Sequence, residues 1–295
     1  MKFRPTLILS LALLLSGVSG LAAARGATLT WRGDMATARG LVEPLARAWQ
    51  RKGHGRIVLQ PFNTISGLDE LRAGQVDIAG SARGRAPQRS AEQSLDFTPV
   101  AWDALVIITH RRNPVRSITL KQLHDIYFGR IRNWRQLGGR NAPIHVYAVA
   151  SPTDGIEFSL RKLLYGRGTQ PVAAPRLYLN VQSMEEGIAL DPDGLGVSTL
   201  SGVAGNRKLA MLAIDGVRPS LATVASGRYP LYTPLYLVTR EHERNPSAAA
   251  FVRFATSKAV HGLLRRHHLL PYAQGSKLAS DPDLRRKRIA AAVDD

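Results

Sequence analysis

The stretch Ile144 to Leu164, IHVYAVASPTDGIEFSLRKLL, decides how this chain is read. Ile144, Val146 and Ala148 alternate with His145, Tyr147 and Val149, the period of a short strand. Ser151-Pro152-Thr153-Asp154-Gly155 is turn chemistry, and Ile156, Leu160, Leu163 and Leu164 then recur at helical spacing. A strand that ends in a polar loop and opens a helix presents unpaired N–H donors at the positive end of the helix dipole, a setting that favours anions. The plainer reading of the same residues is an ordinary helix with Asp154 as its N-cap. Asp154 can be a cap, a ligand group, or both, and Asp34 stands the same way.

The pattern repeats outward from that stretch. Ala27 to Trp31 reads as a first strand, followed by the loop Arg32–Thr37 and a helix carrying Leu41, Val42, Leu45, Ala46 and Trp49. Arg56 to Phe62 is the next strand, then the polar loop Asn63–Gly67 and a short helix, Leu68 to Ala73. Val76 to Gly80 is a short buried strand ending at Ser81-Ala82-Arg83. Strand-end loops in such quick succession are an α/β pattern, and open α/β sheets bind ligands at the carboxyl ends of their strands. Phe97 to His110, FTPVAWDALVIITH, is apolar and β-branched, as expected of a long strand crossing between two lobes. Val181 to Leu190 reads as a helix, Leu195 to Ser198 and Leu235 to Val238 as strands, and Ser247 to Arg266 as a last long helix. The residues from Ser280 onward read as a loose charged end.

Lys2 and Arg4, the apolar run Leu7–Leu15 and Ala22-Ala23-Ala24 form an export signal, with residues 1–24 removed and the product in the periplasm. The run is too short to span a bilayer. There is no cysteine. That excludes disulfides, thiolate metal sites, a cysteine nucleophile and a lipidated cysteine anchor. No His/Asp/Glu set has ligand spacing, so no metal is expected. Ser81, Ser151 and Asp96 lack nucleophile-elbow spacing, so no enzyme and no cofactor is expected either. The formal net charge is +18. For an exported chain this fits solvated basic faces, an anionic envelope surface or an anionic ligand better than nucleic acid.

Several stretches carry a family. Ala73 to Ile78, Leu120 to Trp134 (LKQLHDIYFGRIRNW), Pro192 to Gly196, Asp215 to Pro219, Gly227 to Leu231 and Phe251 to Ser257 follow one another in the order of its motifs. The chain resembles the periplasmic phosphate-binding proteins of the Pst ABC transporter and their relatives, over most of residues 27–272. The resemblance implies a two-lobed α/β fold of the type II periplasmic-binding-protein class, each lobe a mixed β-sheet flanked by helices. It places residues 25–101 and 232–279 in lobe I, 102–231 in lobe II and a charged tail at 280–295. It also implies a monomer that clamps a small anion, phosphate first among the candidates, and delivers it to an inner-membrane ABC permease. The alternative is a relative with a diverged pocket, acting in the envelope as an interaction or sensing protein with another ligand or none.

By family position the ligand-binding residues would be Asp34, Thr64, Ser81, Arg83, Ser151, Thr153, Asp154 and Gly155. The pocket pattern is altered. Gly33-Asp34-Met35-Ala36 stands for the usual Gly-Ser-x-Thr, and Asn63-Thr64-Ile65 stands for Gly-Ser-Gly. Ala82 stands where an aspartate often follows Ser, Ala150 replaces the arginine, and Asp154-Gly155-Ile156 replaces Ser-Gly-Thr. Asp34 and Asp154 at hydroxyl positions would repel a bare dianion unless Arg83 or Arg32 neutralised one of them.

Overall fold

The computed structural model describes residues 27–280 and 282–294. The export signal read at residues 1–24 lies outside them. No helix among the described residues is long and apolar enough to cross a membrane.

Among the described residues twelve strands form, in chain order. They are β1 (Thr28–Asp34), β2 (Arg56–Phe62), β3 (Ile78–Ser81), β4 (Leu95–His110), β5 (Ser117–Ile118), β6 (His145–Val149), β7 (Arg176–Tyr178), β8 (Gly194–Thr199), β9 (Leu209–Met211), β10 (Ala213–Ile214), β11 (Tyr232–Arg240) and β12 (Leu270–Pro271). The main sheet runs β2-β1-β3-β11-β4-β8-β6-β7, with β9 and β12 also pairing with β4. Helices flank it, giving a mixed α/β fold. β4 holds the two halves together. It pairs antiparallel with β11 along Ala104 to Leu95 and with β8 along Leu105 to Thr109. Residues Ala101 to Thr109 are all buried. A strand covered on both faces reads as a continuous apolar run, which is why this segment is legible without alternation.

β1 runs parallel to both β2 and β3, pairing Gly33 with Gly80 and Asp34 with Phe62. Three carboxyl ends therefore arrive side by side. A Cβ on Gly80 would lie 2.2 Å from the Trp31 ring, so only glycine lets β3 pack there. A Cβ on Gly67 would lie 2.7 Å from the Arg32 carbonyl oxygen, so glycine lets the helix Thr64–Arg72 sit directly on β1.

Several boundaries differ from the sequence reading. β1 continues to Asp34, and a helical turn begins at Met35, passing through the π-helical segment Ala38–Val42 into the helix Glu43–Arg51. There is no Arg32–Thr37 loop, because Asp34 caps that turn, its Oδ1 accepting from the Thr37 N–H at 2.8 Å. The second helix starts at Thr64 rather than Leu68, with Asn63 as cap. The expected long helix from Ser247 ends at Thr256 and restarts as a short helix at His261. Thr256 and Ser257 direct their hydroxyls back to carbonyls of the preceding turn, the local competition that ends helices.

The loose charged end is corrected most sharply. Pro282–Asp294 is a helix. Ile289 and Val293 are buried, and the Lys121 ammonium donates to the Val293 carbonyl at 3.1 Å. The Arg285 guanidinium lies 3.9 Å from the Tyr232 ring centroid and donates to the Tyr232 carbonyl. Lys287 and Arg288 stay exposed. The one apolar stripe, not the charge run, decides where the segment goes. Ile289→Ala is expected to destabilise the protein by about 2 kcal/mol in urea unfolding, against about 0.5 kcal/mol or less for Lys287→Ala.

Candidate functional site

The strand-end residues converge on the Asp34 carboxylate. Its Oδ1 accepts from Thr37 N–H, and its Oδ2 accepts from Thr37 Oγ1 at 2.9 Å, Ala82 N–H at 2.9 Å and Thr64 Oγ1 at 3.3 Å. Four donors from three strand ends thus surround one oxyanion. From the other half of the sheet, Asp154 Oδ1 accepts the Thr64 N–H at 2.7 Å, and the Gly155 N–H donates to Thr64 Oγ1 at 3.0 Å. Thr64 is the shared centre: its amide serves one aspartate and its hydroxyl serves the other while accepting from Gly155. A Cβ on Gly155 would sit 3.3 Å from the Asp34 carboxyl carbon and 3.4 Å from Ala82 Cβ, so the centre is tightly packed.

Asp154 holds the N-cap position of the helix Gly155–Tyr165, but its side chain makes no capping bond there. It reaches across to the Thr64 amide instead. Arg83 is buried, yet it bonds neither aspartate. It forms a two-pronged pair with Glu92, at 2.7 and 2.9 Å, and its Nε donates to the Thr153 carbonyl at 2.6 Å. The acidic partner of Arg83 is therefore buried rather than superficial. Arg32 pairs with Glu70 at 3.0 Å and likewise neutralises neither aspartate directly. Ser81 Oγ donates to the Arg83 carbonyl within its own loop. The Ser151 and Thr153 hydroxyls, part-exposed, lie 3.2 Å from each other. Of the residues expected by family position, Asp34, Thr64, Asp154 and Gly155 form one contiguous bonded set, while Ser81, Ser151 and Thr153 turn their hydroxyls elsewhere.

Other contacts between the halves have no counterpart in the sequence reading. Ser159 Oγ donates to the Ala82 carbonyl at 2.8 Å, and Thr233 Oγ1 bonds both Ser159 Oγ and that carbonyl. Arg39 makes a two-pronged pair with Glu185 at 2.8 and 2.9 Å, and Ser198 Oγ donates to the same Glu185. These residues follow no motif. Only the pairing of distant segments brings them together.

Burial sets the charge state. It raises the Asp34 carboxyl above its ordinary range, against the lowering effect of the bonds from Thr37, Ala82 and Thr64. Burial first, then the charge of Asp34, push Asp154 up to about 7, against the bonds from Thr64 and the charge of Arg83. For Glu92 the balance goes the other way: burial raises it, but Arg83, the Ala86 amide and Arg89 together hold it below the usual range. The centre is therefore an acid pair that favours keeping a proton near neutrality.

The comparisons with known proteins agree with this architecture. The PBP superfamily domain profile matches residues 23–259. The chain belongs to the PBP superfamily. It is 27% identical over 239 residues to protein SphX of Synechococcus elongatus, covering 74% of this chain and 70% of that one. It is 25% identical over 193 residues to the phosphate-binding protein PstS of Borreliella burgdorferi, covering 61% of this chain and 67% of that one. Among solved structures it superposes, at TM-score 0.76 and 22% identity, on a protein from Clostridium perfringens assigned as a phosphate ABC transporter substrate-binding protein, over 83% of this chain and 99% of that one. An ABC-type phosphate transport receptor from Vibrio cholerae matches at TM-score 0.64 and 23% identity, over 83% of this chain and all of the other. At that identity the structures establish the two-lobed fold alone.

Two predictions follow from the buried charges. Asp154 has a folded value above its unfolded one, so the stability it contributes is present in full below about pH 4 and is lost as pH rises through about 7. Raised Asp34 and Asp103 act in the same direction. The melting temperature is expected to fall between pH 5 and 8 (roughly that window), and Asp154→Asn, which keeps the acceptor for the Thr64 amide, is expected to flatten that fall. In a separate test, Glu92→Gln leaves Arg83 buried without its countercharge and is expected to cost about 3 kcal/mol in denaturant unfolding.

Proposed function

We propose that this is an exported solute-binding protein that holds a small, protonated oxyanion, phosphate first, between its two lobes for an inner-membrane ABC permease. The carrying observation is the convergence of Thr37, Thr64 and Ala82 donors on one carboxylate at the junction with the Gly155–Tyr165 helix. A carboxylate is itself an oxyanion, so a cradle that suits it suits a small tetrahedral anion in chemistry. The name of the PstS relative, a phosphate-binding protein, points the same way.

The two aspartates have different parts. Asp34 uses the donors that an incoming oxyanion would need, so it is the group that rotates away when ligand enters. Asp154 has one oxygen on the Thr64 amide and can offer the other to a ligand's proton. A fully ionised oxyanion such as sulfate brings no proton, so once Asp154 has ionised, above about pH 7, it meets that carboxylate with nothing to bridge the two. Phosphate, which carries at least one proton at neutral pH, can donate to Asp154. Closing the lobes then brings the donors of both halves onto the anion.

A second reading rests on one observation, that every cradle donor already has an internal acceptor. On this reading the protein acts in the envelope through its basic surface, and the cradle is a structural lock.

Titration calorimetry separates the two. Phosphate is expected to bind the wild type more tightly at about pH 5.5 than at about pH 8, and at about pH 8 sulfate is expected to give no heat. Asp34→Ser, which restores a hydroxyl, is expected to tighten phosphate by about tenfold or more, equivalent to about 1.4 kcal/mol. Binding only in Asp34→Ser would favour the lock, and silence in both proteins at millimolar phosphate would end the solute-binding reading.

A further inference from the structure

Beside the cradle, lined in part by Arg83, lies a separate cavity of about 390 Å³. It sits where the two halves of the sheet meet the C-terminal helix. One wall is aromatic: Trp102 on β4 and Tyr232 on β11 pack edge to face at 5.6 Å, and Tyr272 stacks on Trp102 at 4.9 Å. Phe158 adds a fourth ring, from the helix Gly155–Tyr165. The rest of the rim is basic, with Lys162 and Arg285 the leading cations. No carboxylate occurs among its described lining residues.

Arg285 is the telling residue. Its guanidinium is held on the Tyr232 ring and by one bond to the Tyr232 carbonyl. Its Nε–H is buried and finds no acceptor among the described residues. Burial depresses its basicity, so the charge is held at a desolvation cost. A buried donor without an acceptor carries a penalty that a ligand oxygen would relieve. Lys162 is exposed and lines the same cavity. The volume falls in the range of small-molecule sites, and a mostly aromatic lining with a few cations is the composition such sites show.

We propose that this cavity binds a small organic anion that joins a flat apolar ring to one carboxylate or phosphate group. The ring packs against Tyr272, the half-buried ring that stacks on buried Trp102. The anionic group is shared by Arg285 and Lys162, which bond it with charge assistance. Inorganic phosphate lacks the ring and has no claim on the aromatic wall. The site is thus distinct in chemistry from the cradle, although the two are neighbours: Ser159 and Thr233, which line the cavity, hold the carbonyl of Ala82, whose amide holds Asp34.

Benzoate and phenyl phosphate are the probes, one for each anionic group, with inorganic phosphate as the comparison. Tryptophan fluorescence and calorimetry on the full exported chain are expected to show saturable binding of one or both, at about 1 mM or tighter. Lys162→Ala, an exposed change that leaves the fold alone, is expected to weaken the ring-bearing probe by about tenfold without altering any response to inorganic phosphate. Arg285→Ala should weaken it further, and Trp102→Phe should remove the fluorescence change while calorimetric binding persists. Asp34→Ser should leave benzoate binding unchanged. The proposal is overturned if neither probe saturates at about 10 mM, or if Lys162→Ala and Arg285→Ala bind the probes as well as the wild type does. A ring-bearing probe that Asp34→Ser strengthens, and that inorganic phosphate displaces, belongs to the cradle and also overturns it.

Discussion

The structure depends on a carboxylate being held where charge is costly. Asp34 is buried, and removing a carboxylate from water is unfavourable unless donors replace the lost hydration. Those donors come from Thr37, Thr64 and Ala82, one at each of the three neighbouring strand ends. Satisfying Asp34 therefore fixes the relative positions of the first helical turn, the Thr64–Arg72 helix and the β3 loop. Thr64 passes that order across the junction through its amide to Asp154 and its hydroxyl from Gly155. One anionic group organises a surface that would otherwise be a set of helix starts with unpaired N–H groups.

Electrostatics act at two ranges. The protein as a whole is strongly basic, which draws anions toward it at long range. At the junction the sign reverses. Asp34 and Asp154 are close enough that the charge of one raises the proton affinity of the other. Arg83, the cation best placed to offset them, is turned to Glu92 instead. Attraction at a distance and repulsion at contact together favour an anion that carries its own proton. The Arg39–Glu185 pair and the Ser159–Thr233 bonds add further contacts across the same junction, so order there does not rest on the aspartates alone.

Much of the fold was legible because the relevant signals are local. The apolar run of β4, the strand and helix around Ile144–Leu164, and the helix Val181–Ile188 each follow from the period of residues within a few positions. The failures have local causes too. The break at Ser257 comes from hydroxyls that bond back to their own helix, which an apolar stripe does not reveal. The C-terminal helix was hidden because its charged residues outnumber Ile289 and Val293, and those two matter only when a surface waits to receive them.

The sequence alone determined that strand ends would run into polar loops and helix starts and that Asp154 would lie at such a start, and the family resemblance added that acidic groups replace hydroxyls there. Periodicity and family position suffice for this because both are properties of the chain in order. Only the tertiary structure decided what each side chain does. Asp154 leaves its own helix for an amide 90 positions earlier in the chain, and Arg83 chooses Glu92 over the aspartates. Such choices are competitions among donors and acceptors brought together by strand pairing. No spacing in the sequence encodes their outcome, because the competitors meet only once β1, β2 and β3 are joined through β11, β4 and β8 to β6.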